Sequence, residues 1–445
     1  MMDREIKYLL IGSGLGILAY LAGGWTVCLL VVGLLFVWLT YTCPEVGFSL
    51  IPFFVILDFV VKEYTSGLLG LWDEGILLLL TVAIIQKRFQ EKKWFFRSTS
   101  IIYPLIAFII IGILSAVFSP YVTLGQSIDG IRSVVQSAWL FFILINADFN
   151  RNTLRMGLWL LLLSSCVVAL YGLYQYAVGV PIPPKWVDKD LEAGMKRAFS
   201  FLGSPNAFAG YSLLVTPIAL GFFFQKNLSP GKKAGFLLIT LCLVGGLFST
   251  LTRAAWLAFI PAMILFGIFI KQTKWMVTLV ILMIGLMALS PSVQKRFSNF
   301  FSDQYQKKSE IGGRTYRWDL AWSLVEDRPL LGRGPAGFGG AAAYRAQAFS
   351  GLYVDNYYLE ILSNYGFLGF FAFLWLILEI LRNIGVFARK SHPEDQPIQY
   401  GILAGIVGFL LHNVAENLWE VVPLSIIFWL IIGISKSLSE ATKEA

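Results

Sequence analysis

Residues 290–356 read SPSVQKRFSNFFSDQYQKKSEIGGRTYRWDLAWSLVEDRPLLGRGPAGFGGAAAYRAQAFSGLYVDN, the only long stretch of the chain that is not strongly apolar. The segments on both sides of it consist of apolar runs. Apolar runs of roughly 20 residues are typical of helices that cross a bilayer. The sequence therefore predicts a polytopic, all-α bundle of transmembrane helices, with residues 291–356 as a long, partly helical loop at one membrane face.

The composition also indicates a membrane protein. Of the 445 residues, 57% are hydrophobic and 14% are charged, and the mean hydropathy is +0.70. A soluble domain usually carries about 25% charged residues. We therefore expect residues 1–445 to form a single integral membrane domain. The net charge of +8 is typical of basic cytoplasmic loops, so no nucleic acid partner is expected.

The apolar runs predict twelve to fourteen spans, of which the first two and the last two have the weakest signals. The spans are expected near residues 8–23, 25–41, 46–61, 71–86, 100–118, 130–146, 155–179, 206–224, 234–251, 254–270, 275–290, 357–381, 399–417 and 421–437. Lysine and arginine prefer cytoplasmic connections. With a cytoplasmic N-terminus, the short outer connections hold only Lys62, Arg132 and Arg253. Both termini are therefore predicted to be cytoplasmic, with the loop 291–356 outside.

Arg253 lies in a very short connection between two apolar helices, within Phe248–Trp256. A charge near the membrane is unfavourable unless it finds a partner or reaches the interface. Two interpretations remain open. Arg253 extends to the interface as an ordinary interfacial arginine, or it is a cation fixed at the outer surface to bind a phosphate.

Residues 314–327 have the pattern of an amphipathic helix that lies on the membrane. Arg314 and Arg317 are one turn apart on it. Two guanidinium groups on neighbouring positions suit bidentate binding of a pyrophosphate. The alternative is an interfacial helix whose arginines contact lipid head groups.

Residues 332–337 match the dinucleotide-binding pattern G-x-G-x-x-G. That interpretation fails because no strand precedes the glycines and Pro335 interrupts them. The glycines instead predict a tight bend that returns the loop to the membrane. Arg333 within this bend is a further candidate donor to the substrate.

Asp355 and Asn356 precede the next predicted span. Asp355 could accept a proton from a sugar hydroxyl or orient a basic partner. Both residue types are also favoured helix N-caps.

No metal site is predicted, because the chain has only two histidines and its four cysteines lie in or beside apolar spans without metal-ligand spacing.

Several of these motifs together resemble the O-antigen ligase and polymerase superfamily of bacterial membrane glycosyltransferases. They are Ser249–Trp256, Gly313-Arg314 with Trp318, Pro329–Gly334, and Asp355–Leu362 with Tyr365–Gly369. The motifs cover roughly residues 200 to 380, and the flanking spans are similar only in hydropathy. The ligases usually have His-Asn where this chain has Asp355-Asn356, and the aspartate fits a polymerase or another exopolysaccharide-assembly member at least as well.

The resemblance implies a glycosyltransferase of the bacterial cytoplasmic membrane that uses neither a nucleotide sugar nor a metal or other cofactor. Its donor would be a glycan linked to undecaprenyl diphosphate, and its acceptor would be a glycan or lipid-glycan at the outer leaflet. The protein would also contact the membrane lipids around it. Arg253 and Arg314 would hold the diphosphate. The expected catalytic residues are Arg253, Arg314 and Asp355, and the expected substrate-binding residues are Arg253, Arg314, Arg317, Arg333 and Asn356.

Two other functions are compatible with a polytopic protein. A transporter or a flippase for lipid-linked oligosaccharides would place ionisable residues deep within spans. Asp58, Glu379 and Glu416 are the candidates for that role. A peptidoglycan polymerase of the shape-and-division type would also use a lipid diphosphate, but the motifs match it less well.

Overall fold

The structure is a computed structural model, and it describes residues 13–14, 25–64, 71–93, 96–183, 195–289, 291–300 and 302–441. Within these residues the regular elements are all helices. The one strand-like pairing there is an isolated bridge between Gly339 and Tyr353. The predicted all-α fold is confirmed.

The first part of the chain forms apolar helices joined by short connections. They are α1 (Trp25–Thr42), α2 (Pro44–Leu50), α3 (Phe54–Tyr64), α4 (Trp72–Gln90), α5 (Ile102–Phe118), α6 (Leu124–Val135), α7 (Ala138–Asn146), α8 (Arg151–Val178) and α9 (Pro205–Phe223). A 3-10 turn at Ile51–Phe53 joins α2 to α3. Each predicted span from 25–41 to 206–224 coincides with one of these helices or with a joined pair of them.

The second part contains further apolar helices and the polar loop. The helices are α10 (Pro230–Ser249), α11 (Arg253–Phe269), α12 (Thr273–Ala288), α13 (Pro291–Phe300), α14 (Asp303–Ile311), α15 (Arg314–Asp327), α16 (Ala341–Arg345), α17 (Tyr357–Lys390), α18 (Gln396–His412) and α19 (Val422–Ala441). The loop is partly helical, as predicted, because α13 to α16 lie within it.

Among the described residues, six helical segments are long and apolar enough to cross a membrane, or seven if the bent pair α6 and α7 forms one span. They are Pro44–Tyr64, Arg151–Val178, Pro205–Phe223, Pro230–Ser249, Tyr357–Lys390 and Val422–Ala441. The protein is therefore a multi-pass membrane protein. This number is below the predicted twelve to fourteen because several predicted spans are helices of 10–17 residues, such as α5 and α11. Most of the predicted span 8–23 lies outside the described residues.

The centre of the bundle is formed by helices that are apolar on every side. In α9 all residues from Ala207 to Phe222 are buried, and in α19 all residues from Pro423 to Lys436 are buried. A helix without a polar face is expected inside a bundle or a membrane. α18 packs extensively against α9 and also contacts α11 and α17. These central helices fix the relative positions of the segments that leave their ends.

One end of the bundle carries a network of ion pairs. Arg151 at the start of α8 lies 2.7 Å from Asp395, and Arg155 lies 2.9 Å from the same carboxylate, which precedes α18. Arg88 near the end of α4 lies 3.0 Å from Asp148. Arginines that the sequence assigns to the cytoplasmic connections therefore meet at a single end of the bundle.

The polar loop is attached to the bundle through a break in α17. The break is at Gly366, with φ 63° and ψ −169°. The amides of Phe367 and Leu368 donate to the carbonyl oxygens of Pro329 and Leu330 at 2.7 and 3.2 Å. A helix break leaves backbone groups without partners, and here the loop supplies them.

The opposite side of the break is paired in the same way. The amides of Arg333 and Gly334 donate to the carbonyl oxygens of Ser363 and Asn364, both at 2.9 Å. The motifs Pro329–Gly334 and Tyr365–Gly369 are therefore one structural unit. These two amides of the G-x-G-x-x-G pattern bind protein, which agrees with the rejection of a dinucleotide loop.

Replacing Gly366 should destabilise the protein specifically at this attachment. In Gly366→Ala the new methyl group would overlap the carbonyl of Leu330, and the backbone conformation is one that only glycine adopts readily. We expect a loss of about 2 kcal/mol or more in stability, measured as a lower melting temperature in detergent. The control Gly385→Ala adds a methyl group to open space in the same helix, and it should be neutral or slightly stabilising. Equal melting temperatures for both variants would contradict this attachment.

Candidate functional site

The candidate site lies where several helices begin at the end of the bundle opposite the Arg151–Asp395 ion pairs. α9, α11, α15 and α17 all start here, and α18 ends here. The contacts described below, with the bond from the Tyr357 amide to the Asn413 carbonyl oxygen at 2.9 Å, hold their ends together. Each helix N-terminus carries a partial positive charge, so this region attracts anions before any side chain is considered.

Arg314 and Arg317 lie side by side on the first turn of α15, as the sequence predicts. Arg314 donates from Nη2 to Glu416 Oε1 at 2.9 Å and to the Ala415 carbonyl oxygen at 3.0 Å. Arg317 donates from Nη1 to Asp355 Oδ2 at 2.8 Å. The same Asp355 oxygen is 3.8 Å from Nε of Arg314. Asp355 thus lies against both guanidinium groups.

Arg197 is linked to the Glu416 carboxyl group through the side chain of Asn206. Its side chain is 5% exposed and donates from Nε to the Thr250 carbonyl oxygen at 2.8 Å and from Nη2 to Asn206 Oδ1 at 3.0 Å. Asn206 in turn donates from Nδ2 to Glu416 Oε1. Glu416 is therefore shared between Arg314 and the amide that Arg197 holds.

Arg253 is the first residue of α11, directly after Thr252, whose hydroxyl donates to Asn206 Oδ1 at 3.1 Å. Arg253 itself donates from Nη1 to the Arg296 carbonyl oxygen at 3.2 Å. Three hydrogen bonds, from Thr252 to Asn206, from Asn206 to Glu416 and from Arg314 to Glu416, connect the start of α11 to Arg314. Arg253 therefore belongs to the same end of the bundle as Arg314. We call Arg197, Arg253, Arg314, Arg317, Asp355 and Glu416 the arginine cluster.

The arginine cluster has more positive than negative charge. It contains four guanidinium groups and two carboxyl groups. Arg253 and Arg314 also occupy the first positions of their helices, where a cation is repelled by the helix dipole. Two arginines at such positions are expected where an anion compensates them, because an uncompensated arrangement is unfavourable.

Burial changes the acidity of one carboxyl group in the cluster. Burial raises the pKa of Glu416 to about 8, and this shift is opposed by Arg314 and supported by Asp355.

Glu416 lies in the connection after α18, since that helix ends at His412 and not at residue 417 as predicted. Asn413 Oδ1 ends the helix by accepting hydrogen bonds from the amides of Leu418 and Trp419 at 3.0 and 3.2 Å.

Asp355 and Asn356 make different contacts at the start of α17. Asn356 is the N-cap of α17, and its side chain accepts hydrogen bonds from the amides of Tyr358 and Leu359, both at 3.1 Å. Asp355 has φ +52°, a left-handed conformation that aspartate tolerates better than most residues. This turn directs the Asp355 carboxylate to Arg317 instead of to the helix terminus.

Arg333 lies apart from the arginine cluster, at the other end of α15. Its guanidinium group stacks on the Tyr121 ring at 3.7 Å from the ring centroid and is 3.8 Å from Asp327. α15 has 14 residues, and a rise of 1.5 Å per residue separates its ends by about 20 Å. One diphosphate cannot reach both ends.

The remaining candidate residues are accounted for by structural contacts. Asp58 lies 2.7 Å from Lys62, and Glu379 accepts from Arg382 Nε at 3.0 Å. Each is thus paired on its own helix.

No group of His, Cys, Asp and Glu that could hold a metal occurs in the part of the chain that the structure describes.

Residues 238–374 match the O-antigen ligase family. They form an O-antigen ligase domain. The domain contains Arg253, Arg314, Arg317 and Asp355, whereas Arg197 and Glu416 lie outside the matched residues.

A protein of Haemophilus influenzae, described only as uncharacterized, is 25% identical over 230 residues. The similarity covers 46% of this chain and 55% of that protein. The chain therefore spans about half the length of the curated relative that it matches.

The sequence did not identify two members of the arginine cluster, Arg197 and Glu416, or Asn206, which connects them. Arg197 lies between the predicted spans 155–179 and 206–224, Asn206 follows a proline at the start of a span, and Glu416 was considered only for a transporter. The signal that could have found them is that all three are polar residues at the ends of predicted spans, on the same side of the membrane. Their contacts depend on how α9 and α18 pack, which no local pattern specifies.

The pKa of Glu416 predicts a pH dependence of stability. The pKa is raised from 4.5 to about 8, so between these values the folded protein holds a proton that the unfolded chain has released. Stability should therefore fall as pH rises from 6 to 8. Glu416→Gln should reduce this slope by up to about 1.4 kcal/mol per pH unit, measured from melting temperatures in detergent.

A carboxyl group at the other end of the bundle is the control. Asn227 and Arg151 lower the pKa of Glu394, so its carboxylate is charged in both states above pH 6. Glu394→Gln should leave the slope unchanged. A slope in Glu416→Gln equal to that of the wild type would show that Glu416 is already ionised when folded.

Proposed function

We propose that the protein transfers a glycan from an undecaprenyl diphosphate carrier to a glycan or lipid-glycan acceptor at the outer leaflet of the bacterial cytoplasmic membrane, without a metal. The observation that carries this proposal is the arginine cluster. It places Arg314, Arg317 and Arg197 around two carboxylates in and beside an O-antigen ligase domain. Arginine is the side chain best suited to bidentate binding of phosphate.

The proposed orientation follows from the two ends of the bundle. The end with Arg88, Arg151 and Arg155 carries the basic connections that the positive-inside rule assigns to the cytoplasm. The arginine cluster lies at the other end. We therefore place both termini in the cytoplasm and residues 291–356 on the outer side, where a lipid-linked glycan would be available.

The arginine cluster would act on the donor by stabilising the leaving group. The bond between the anomeric carbon and the diphosphate oxygen breaks, and the electron pair remains on the diphosphate. Arg314, Arg317 and Arg253 would bind this developing charge, as fixed donors do in other group-transfer sites. The carboxyl groups of Glu416 and Asp355 occupy donors of Arg314 and Arg317 in the absence of the diphosphate.

The acceptor hydroxyl would attack the anomeric carbon from the opposite face and lose its proton. Asp355 is the proposed group that receives or orients this proton. When the diphosphate engages Arg317, the Asp355 carboxylate would lose part of its ion pair and become available. Binding both reactants at a membrane surface, with little water, favours transfer over hydrolysis. Both ligation and polymerisation follow this scheme.

The central test removes the arginines of the cluster from the full-length protein. Arg314→Ala and Arg253→Ala should each reduce transfer by about 100-fold or more, as expected when a donor to the developing charge is lost. Transfer is measured in proteoliposomes that contain a lipid-diphosphate-linked glycan, with membrane insertion and accumulation measured in parallel.

Arg389→Ala is the matched control. Arg389 is an exposed arginine near the end of α17 whose Nε donates to the Gly385 carbonyl oxygen at 3.1 Å, so its removal should leave transfer unchanged. Normal transfer by both Arg314→Ala and Arg253→Ala would refute the diphosphate role of the cluster.

A further inference from the structure

A second basic group lies at the far end of α15 from the arginine cluster. The guanidinium carbon of Arg333 is 3.7 Å from the centroid of the Tyr121 ring and 5.2 Å from that of Phe349. The guanidinium carbon of Arg328 is 5.3 Å from the same tyrosine ring. Cations stack favourably on aromatic faces, so these rings hold the two arginines in place.

The backbone and side chains around these arginines are fixed by hydrogen bonds. The Arg333 amide donates to Ser363 in the broken helix at 2.9 Å, and the Arg333 carbonyl oxygen accepts from the Ser119 hydroxyl. Arg328 donates from Nη1 to the carbonyl oxygen of Phe118 at 2.9 Å. Both side chains therefore start from a rigid part of the loop.

The guanidinium group of Arg333 has hydrogen-bond donors that lack acceptors among the described residues. Among the described residues its closest carboxylate is Asp327, at 3.8 Å, which is beyond hydrogen-bond distance. Its Nε is buried and has no hydrogen-bond partner. Buried donors are normally satisfied. Arg317 shows the contrast, since it reaches Asp355 at 2.8 Å. An anion is the partner that would satisfy Arg333.

The surface around Arg333 has the composition of a membrane interface. Phe118 at the end of α5, Leu124 at the start of α6 and Leu330 are 62%, 77% and 64% exposed. Tyr121, in the connection between α5 and α6, is 46% exposed. Exposed apolar side chains beside tyrosine and arginine are typical of the level of the lipid head groups. The anion would therefore come from the membrane and not from bulk solvent.

We propose that Arg333, Arg328 and Tyr121 form a second phosphate site, which binds the head group of a lipid about 20 Å along α15 from the arginine cluster. Arg333 supplies the unsatisfied donors, Arg328 adds charge, and Tyr121 holds both guanidinium groups. Asp327, which is 51% exposed at its side chain, competes with the phosphate and turns away when it binds. Two lipid phosphates would then be bound along one helix.

The test counts bound lipid phosphate in the full chain. The protein is placed in phosphatidylcholine nanodiscs and saturated with radiolabelled undecaprenyl diphosphate. Wild type should bind two molecules and Arg333→Ala one. Asp327→Asn should bind the second molecule several-fold more tightly, because a competing carboxylate is removed. The control Arg345→Ala, an exposed loop arginine paired with Asp129 at 2.7 Å, should bind two.

Competition experiments identify the source of the phosphate. If phosphatidylglycerol in the nanodisc removes only the Arg333-dependent molecule, the site accepts a bulk phospholipid; if it does not, the site selects the polyprenyl carrier. Both results support a lipid phosphate site. Removal of the same molecule by millimolar inorganic phosphate would contradict it, because the lipid would then contribute nothing. Two bound molecules in Arg333→Ala would also overturn it.

The expected count of two rests on the diphosphate role proposed for the arginine cluster, and the variants separate the two proposals. Arg314→Ala should lose the molecule that Arg333→Ala retains. If Arg314→Ala binds as wild type does while Arg333→Ala loses one molecule, the proposed function is in error and the second site stands.

Discussion

The structure depends on balancing positive charge at one end of a helix bundle. Four guanidinium groups and the N-termini of α9, α11, α15 and α17 meet there, and the carboxyl groups of Glu416 and Asp355 accept hydrogen bonds from Arg314 and Arg317. These carboxyl groups, together with the carbonyl and amide oxygens that Arg197 and Arg253 contact, provide acceptors for the arginine donors when no substrate is bound. The same arrangement provides a reason for substrate binding, since a diphosphate carries more negative charge than the groups it displaces.

The position of the cluster is set by backbone contacts far from it. α17 breaks at Gly366, and the loop segment Pro329–Gly334 satisfies the exposed backbone on both sides of the break. α15 then packs over the following loop, where Trp318 donates from its indole nitrogen to the Val354 carbonyl oxygen at 3.0 Å. Asp355 is the next residue. The glycines and prolines of the loop thus contribute to the site indirectly. They shape the loop backbone so that Asp355 lies beside Arg317.

Local sequence patterns were sufficient for the helices and for part of the site. Hydropathy located the helices because a membrane span requires a long apolar segment. The spacing of Arg314 and Arg317 placed them together, because helical periodicity is local. Arg197, Asn206 and Glu416 could not be found in this way, because they come from the connection before α9, the first turn of α9 and the connection after α18. Arg333 was assigned to the same site as Arg314, although α15 holds them apart. Helical length alone would have indicated that separation.

A structure of the full-length protein with undecaprenyl diphosphate in a lipid nanodisc, determined by electron cryo-microscopy, would test the account most directly. The account predicts diphosphate density within about 3 Å of the guanidinium groups of Arg314 and Arg317, with Asp355 and Glu416 displaced from them. Diphosphate density elsewhere, with the Arg314–Glu416 and Arg317–Asp355 contacts intact, would contradict it.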